Sequence, residues 1–335
     1  MMDTTLTKTQ AIFTCRLLTG KQMFTCFLLI ASFLLAGWKN QNTTMEKTVP
    51  DTTDITILMD TPQILQSLFH PRTTPHNTPP KDAVDMDATV GDGIQIGCRI
   101  FTVSKDAPII IFFHGNGETV PDYDDIGPMY QQQGINFAIA DYRGYGWSDG
   151  TPLLSTFLED SNQSFEQLRS WFIENGYTGD IFVMGRSMGS ACAIDIAVNQ
   201  TDSLTGLIVE SGFALTLPLT KVLGLDLEAL GIHEGQTFDN AGKIEKFTKP
   251  TFMLHGQIDQ LIPLWQAEKL HSMAGAKTKE LQVIPGADHN SLIAVGGVLY
   301  FQAIKNFIDK VTDAVPDWRE RRKAFKAKQA AENDR

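Results

Sequence analysis

Short apolar runs alternate with longer amphipathic stretches over most of this 335-residue chain. Residues 108–113, Pro-Ile-Ile-Ile-Phe-Phe, are apolar throughout. Such a run predicts a strand covered on both faces. Residues 136–140, 181–184, 204–209, 251–254 and 281–284 repeat the pattern. Residues 94–103 instead alternate apolar and polar positions, which predicts a half-exposed antiparallel strand. Helix-length segments lie between the runs at 124–133, 158–175, 188–199 and 264–274, and a last one follows at 299–315. This alternation predicts an α/β domain with a mainly parallel sheet of about eight strands, flanked by helices on right-handed crossovers. Functional residues in such sheets collect at the carboxyl ends of the strands.

The regions outside the alternating part are read from composition. Residues 1–22 carry Lys8, Arg16 and Lys21, and an apolar segment follows at 23–38. A basic region before a short apolar stretch is the layout of a signal peptide or anchor. Export from the cytoplasm, or attachment to a membrane on its periplasmic or other outer side, is therefore expected. Residues 39–83 are read as a polar linker with a short helix at 57–69, which Thr61-Pro62 would start. The alternating domain is placed at 84–316. Its insert at 210–250 carries Phe213, Leu215, Leu217, Leu223, Leu225 and Leu227. Residues 317–335 form a charged tail with Arg319, Arg321, Arg322, Lys323, Lys326 and Lys328. A solvated, frayed helix or a contact with an anionic membrane surface would suit that tail.

Charge and cysteines narrow the function classes. The formal net charge is -11, and an acidic chain repels phosphate backbones, so no nucleic-acid partner is expected. Four cysteines stand at 15, 26, 98 and 192, with no CxxC pair and no His/Cys ligand spacing. Neither a metal site nor a disulfide framework is indicated. Cys98 and Cys192 read as small buried thiols.

The residues after the apolar runs carry the chemistry. After 181–184 comes Gly185-Arg186-Ser187-Met188-Gly189, a G-x-S-x-G segment between a strand and a helix. Its glycines permit a sharp turn that exposes the Ser187 hydroxyl above the sheet. A larger residue at 185 or 189 would collide with neighbouring backbone. After 108–113 comes His114-Gly115-Asn116-Gly117. The backbone N–H groups of Asn116 and Met188 are candidate donors to an oxyanion. His114 suits a brace for this turn. Asp259 follows the run at 251–254, and His289 follows the run at 281–284. A serine hydroxyl needs a base, a histidine can take and return its proton, and a carboxylate fixes the imidazole tautomer. Glu210 and Asp288 compete with Asp259 for the carboxylate role. Asp141 and Arg143, in the glycine-rich loop after 136–140, read as substrate binders or as a salt bridge within that loop.

With these motifs in order, the chain resembles the α/β-hydrolase superfamily. More narrowly it is similar to serine aminopeptidase-like and α/β-hydrolase-domain proteins. The resemblance rests on His114-Gly115-Asn116, on residues 141–148 (Asp-Tyr-Arg-Gly-Tyr-Gly-Trp-Ser), on Gly185 to Gly189, and on Gly286-Ala287-Asp288-His289-Asn290. It covers roughly residues 84–312. It implies the α/β-hydrolase fold, a triad of Ser187, Asp259 and His289 in that chain order, and an insert that covers the site as a small lid. It implies no cofactor and no metal. Relatives of this kind include membrane-bound protein depalmitoylases, esterases and peptidases. The expected activity is cleavage of a carboxylic ester or thioester, on a small or acylated substrate, through an acyl-enzyme. Two alternatives stand beside it: an aminopeptidase-like amidase using the same residues, for which Asp226, Glu228 and Glu234 are candidate acids, and a binding protein on the same fold without turnover.

Overall fold

The computed structural model describes residues 59–312. Eight strands form one sheet: β1 (Ala83–Val90), β2 (Ile94–Phe101), β3 (Ile109–Phe113), β4 (Asn136–Ala140), β5 (Ile181–Arg186), β6 (Gly206–Glu210), β7 (Thr251–Gly256) and β8 (Lys279–Ile284). Nine α-helices are described: α1 (Pro62–Leu68), α2 (Gly127–Gln132), α3 (Leu154–Glu174), α4 (Gly189–Asn199), α5 (Thr216–Val222), α6 (Asn240–Lys246), α7 (Trp265–Met273), α8 (Leu292–Gly296) and α9 (Val298–Val311). The strand order is β1-β2-β4-β3-β5-β6-β7-β8. β1 and β2 are antiparallel, β2 meets β4 antiparallel, and every other pair is parallel.

The period of two along each strand divides the core. In β3, Ile109, Ile111 and Phe113 face one apolar cluster with residues of α3, α4 and α6. Ile110 and Phe112 face the other, against α2 and α9. Helix α9 places Tyr300, Phe301, Ile304, Phe307 and Ile308 on that face, at the spacing of one helical stripe. A strand apolar at every position is thus one buried from both sides. The chain leaves β3 for β4 on one side and returns to β5 on the other. This reversal opens a crevice at the carboxyl ends of β3 and β5, where ligands of open parallel sheets bind.

Four expectations need correction. The strand at 94–103 is not half-exposed, since β2 is buried from Ile96 to its end. Arg99 was a polar position in the alternation, yet it is fully buried. Its guanidinium donates to Asp85 Oδ1 at 2.7 Å and to Asp124 Oδ1 at 2.6 Å, so the buried charge is paired. β1 carries Asp85 and Asp87, and Asp85 lies opposite Arg99 in the register. Of the helix expected at 124–133 only α2, Gly127–Gln132, forms, and a short 3₁₀ turn, Val120–Tyr123, precedes it. Helix α3 starts at Leu154, not 158, because its cap comes from a distant segment: Asp60 Oδ1 accepts from Leu154 N at 2.7 Å and Ser155 N at 3.2 Å.

The fourth correction concerns the linker. Its described part, residues 59–82, lies against the domain. Thr61 precedes α1 with Pro62 at its first turn, as expected. Phe69 belongs to the main core and stacks edge-on with Phe157. Ile64 and Met59 share a small cluster with Leu217, Leu225, Leu227 and Ile232 of the insert. Thr74 N and Gly146 O then pair at 2.8 Å. The segment is a strap across the domain, joined to the lid by apolar packing. The expected apolar segment at 23–38 and the charged tail at 317–335 lie outside the described residues.

Candidate active site

The site is built at the strand ends. Between β5 and α4 the chain reverses over two residues, Ser187 and Met188, and Ser187 takes φ +52°. A non-glycine residue in the left-handed region is strained and is held only where its surroundings demand it. Here they do. Ser187 N donates to Glu210 O at 2.9 Å, and Ser190 Oγ donates to Ser187 O at 2.6 Å. A Cβ at Gly185 would run into the Gly189 carbonyl, and one at Gly189 into the carbonyls of Phe113 and His114. Both glycines are therefore steric requirements of the turn.

Ser187, His289 and Asp259 meet above the sheet. Ser187 Oγ lies 2.9 Å from His289 Nε2, and His289 Nδ1 lies 2.7 Å from Asp259 Oδ2. All three residues are buried. The other Asp259 oxygen accepts from Leu261 N at 3.0 Å and Ile262 N at 2.8 Å. The carboxylate on Nδ1 places a proton there, so Nε2 is left to accept from the serine. Tight turns after β7 and β8 bring these side chains back over the sheet, with Gly286 at φ +73°.

The competing groups are occupied elsewhere. Glu210 accepts from Tyr300 Oη at 2.6 Å and faces Arg186 Nε at 3.4 Å. Burial pushes its carboxyl above the usual range, and Arg186 and Tyr300 offset part of that. Asp288 is exposed and accepts from Asn290 N and Ser291 Oγ. His255, also buried, donates from Nε2 to Ile262 O at 2.7 Å. Burial holds its imidazole below the ordinary range, as it disfavours the cation. His114 braces the turn after β3 through Gly115 O at 2.8 Å and Asp141 Oδ1 at 3.0 Å. Arg143 does not pair within its loop; it holds Asp160 of α3, with Nη2 at 2.9 Å from Oδ1. Glu234 is not a solvated acid but caps α5, accepting from Thr216 N and from Leu217 N at 3.0 Å. Asp226 and Glu228 face Lys221. Among the described residues, no group of three or more His, Cys, Asp or Glu side chains is placed to hold a metal ion.

Asn116, Ser187 and Met188 line one pocket of about 550 Å³ of empty space. Neither the Asn116 nor the Met188 backbone N–H has an acceptor among the described residues. The rest of the wall is mainly apolar: Leu68 and Phe69 from the strap, Phe213, Leu219, Leu223 and Phe238 from the insert, with Leu154 and Leu261, interrupted only by Thr216 and Thr220. The strap also fixes the turn that carries Asn116. Asn116 Nδ2 donates to Leu68 O at 2.8 Å and to His70 Nδ1 at 2.8 Å, while its Oδ1 accepts from Tyr145 Oη at 2.7 Å. The sequence offered no sign of this role for Leu68, Phe69 and His70, because the partners lie about 46 positions apart. Of the insert residues in the wall, Phe213 and Leu223 were among the apolar positions read from the sequence, and Leu219 and Phe238 were not.

Comparison with known proteins adds a family match. The family described as serine aminopeptidase, S33, matches residues 104–226, which include Asn116, Ser187 and Met188 but end before Asp259 and His289. Protein bem46 of Schizosaccharomyces pombe is 28% identical over 209 residues, covering 61% of this chain and 68% of that protein. The human α/β hydrolase domain-containing protein 17B is 26% identical over 238 residues, covering 69% and 77% respectively. Among solved structures, an esterase of Pyrococcus furiosus superposes with a TM-score of 0.59 at 18% identity, over 72% of this chain and 98% of its own. Est1E of Butyrivibrio proteoclasticus, solved with ferulic acid, gives 0.57 at 20% identity, over 68% and 99%. At these identities the structural likeness concerns the fold.

Proposed function

We propose that this chain, a member of the α/β-hydrolase superfamily, is a serine hydrolase that cleaves carboxylic esters or thioesters with an apolar acyl group. One observation carries the reading: the hydrogen-bonded line Ser187–His289–Asp259 stands at the foot of an apolar pocket. Ser187 Oγ attacks the carbonyl carbon as His289 Nε2 takes its proton. Asp259 stabilises the imidazolium so formed. The Asn116 and Met188 N–H groups receive the negative oxygen, and the N-terminus of α4 adds its dipole. His289 returns the proton to the leaving alcohol or thiol. Water, deprotonated by His289, then releases the acid from Ser187 and restores the hydroxyl.

The pocket supports an acyl group in preference to an aminoacyl group. No acidic side chain lines it, so a substrate ammonium would find no counter-charge. Hydrolysis of p-nitrophenyl esters from acetate to palmitate, beside aminoacyl anilides and with a Ser187→Ala control, tests the proposal. Ester turnover that vanishes in the control is expected, a loss of as much as ~10⁶-fold. Anilide turnover in the absence of ester turnover favours the amidase. A folded chain that cleaves neither and takes up no fluorophosphonate is a binding protein instead. The proposal extends to an exported or membrane-tethered enzyme, from the basic and apolar composition of residues 1–38. Recovery of the full chain in the soluble cytoplasmic fraction would count against that part.

A further inference from the structure

The residue before the nucleophile reaches the turn after β3, the end of β6 and the loop after β8. Arg186 is buried, and its guanidinium faces four partners. Nη1 donates to Glu118 Oε1. Nη2 donates to the backbone oxygen of His289 at 2.8 Å and to Asn290 Oδ1 at 3.0 Å. Nε lies 3.4 Å from Glu210 Oε1. Glu118 carries the link onward, since its Oε2 accepts from Gly115 N at 2.7 Å and Tyr123 Oη at 2.8 Å. A Cβ at Gly115 would strike the guanidinium, so the turn before Asn116 rests directly on it. Burial opposes the ionised form of Glu118, but the Arg186 charge and the Gly115 N–H hold its carboxyl below the usual range.

We infer that Arg186 is a positioning residue that holds the His289 loop and the Asn116 turn in register around Ser187. The inference rests on the serine-hydrolase reading above. Its physical content is the planar fork of arginine, which reaches two loops at once where a point charge cannot. Among the described residues, Arg186 is the side chain whose hydrogen bonds reach both the turn after β3 and the loop after β8. Without this link the polar tie between the two loops is lost, and displacement of reacting groups by about 1 Å costs about 10²-fold in rate. Arg186 touches neither the scissile bond nor the acyl pocket, so it acts through the residues it holds.

The test is Arg186→Lys, which keeps a positive charge between Glu118 and Glu210. Removing the charge outright would leave the buried Glu210 and the half-buried Glu118 without their counter-charge and threaten the fold. For p-nitrophenyl butyrate, kcat should fall by about 10- to 10²-fold, with KM within about twofold of wild type. The downfield proton NMR signal of the His289–Asp259 hydrogen bond should broaden or disappear. A wild-type kcat together with a wild-type signal in a folded Arg186→Lys protein overturns the inference. Should that variant not fold, Glu118→Gln cuts only the arm to the Asn116 turn. It should lower kcat about tenfold through partial loss of an oxyanion donor while the signal stays, and an unchanged kcat overturns the inference by this route. A Ser187→Ala protein as active as wild type sinks the triad reading instead. The NMR signal does not depend on turnover and still reports whether Arg186 holds His289.

Discussion

Asp259→Asn isolates the role of the carboxylate with almost no change in shape. One oxygen of Asp259 is held by two backbone donors, Leu261 N at 3.0 Å and Ile262 N at 2.8 Å. An asparagine must therefore leave its carbonyl oxygen there and turn its NH₂ toward His289 Nδ1. Nδ1 then has to accept, and the imidazole proton moves to Nε2. That nitrogen, 2.9 Å from Ser187 Oγ, can no longer take the serine proton. The same change of tautomer in the template serine protease costs about 10⁴-fold in kcat, which corresponds to about 5 kcal/mol of transition-state stabilisation. His255 does not rescue the base. Its Nε2 is 3.5 Å from Asp259 Oδ2 and already donates to Ile262 O. The assay is p-nitrophenyl butyrate hydrolysis at neutral pH, with thermal unfolding as the control for folding. A folded Asp259→Asn protein within tenfold of the wild-type rate would refute the assignment of Asp259 as the orienting carboxylate. Glu210 would not then become the better choice, because Tyr300 and Arg186 hold it away from the imidazole.

Further outcomes follow from the same geometry. Gly189→Ala drives a Cβ into the Phe113 carbonyl; a loss on the order of 3 kcal/mol or more, read as a fall in Tm of about 10 °C, is expected. Leu219→Trp fills part of the pocket beside Ser187. Each methylene that fits is worth about 0.8 kcal/mol, so octanoate should lose more than about tenfold in kcat/KM while acetate is spared; equal losses on both esters would mean that acyl chains do not enter there. Asp60→Ala removes the distant cap of α3 and should cost about 1 kcal/mol in urea unfolding. Burial pushes the Cys192 thiol up to about 12 and raises Cys98 as well. Below that pH both stay protonated and unreactive, so mass spectrometry after thiol labelling of the native protein at mildly alkaline pH should find neither modified until denaturant is added.

Much of the fold and site was legible because it depends on local pattern. Continuous apolar runs announced β3 to β7, since a strand covered on both faces must be apolar at every position. The G-x-S-x-G turn announced itself because no Cβ fits at 185 or 189. The positions of Asp259 and His289 after the last strands reflect the rule that functional groups stand at strand ends. What the sequence could not display were the pairings that make polar residues burial-competent. Arg99 looks exposed until Asp85 and Asp124 are brought to it by the sheet register. β1 looks like a loop for the same reason. Residues 59–82 look like a linker because their polar groups find partners only across the domain, in Asn116, Tyr145 and Gly146. Arg186 read as a variable position between a glycine and a serine. Local sequence thus determined where the chain turns and which groups are candidates for the chemistry. Only the tertiary structure decided which charges are neutralised in the interior and which loops are bound together, because a buried polar group is tolerated only when a partner arrives from elsewhere in the fold.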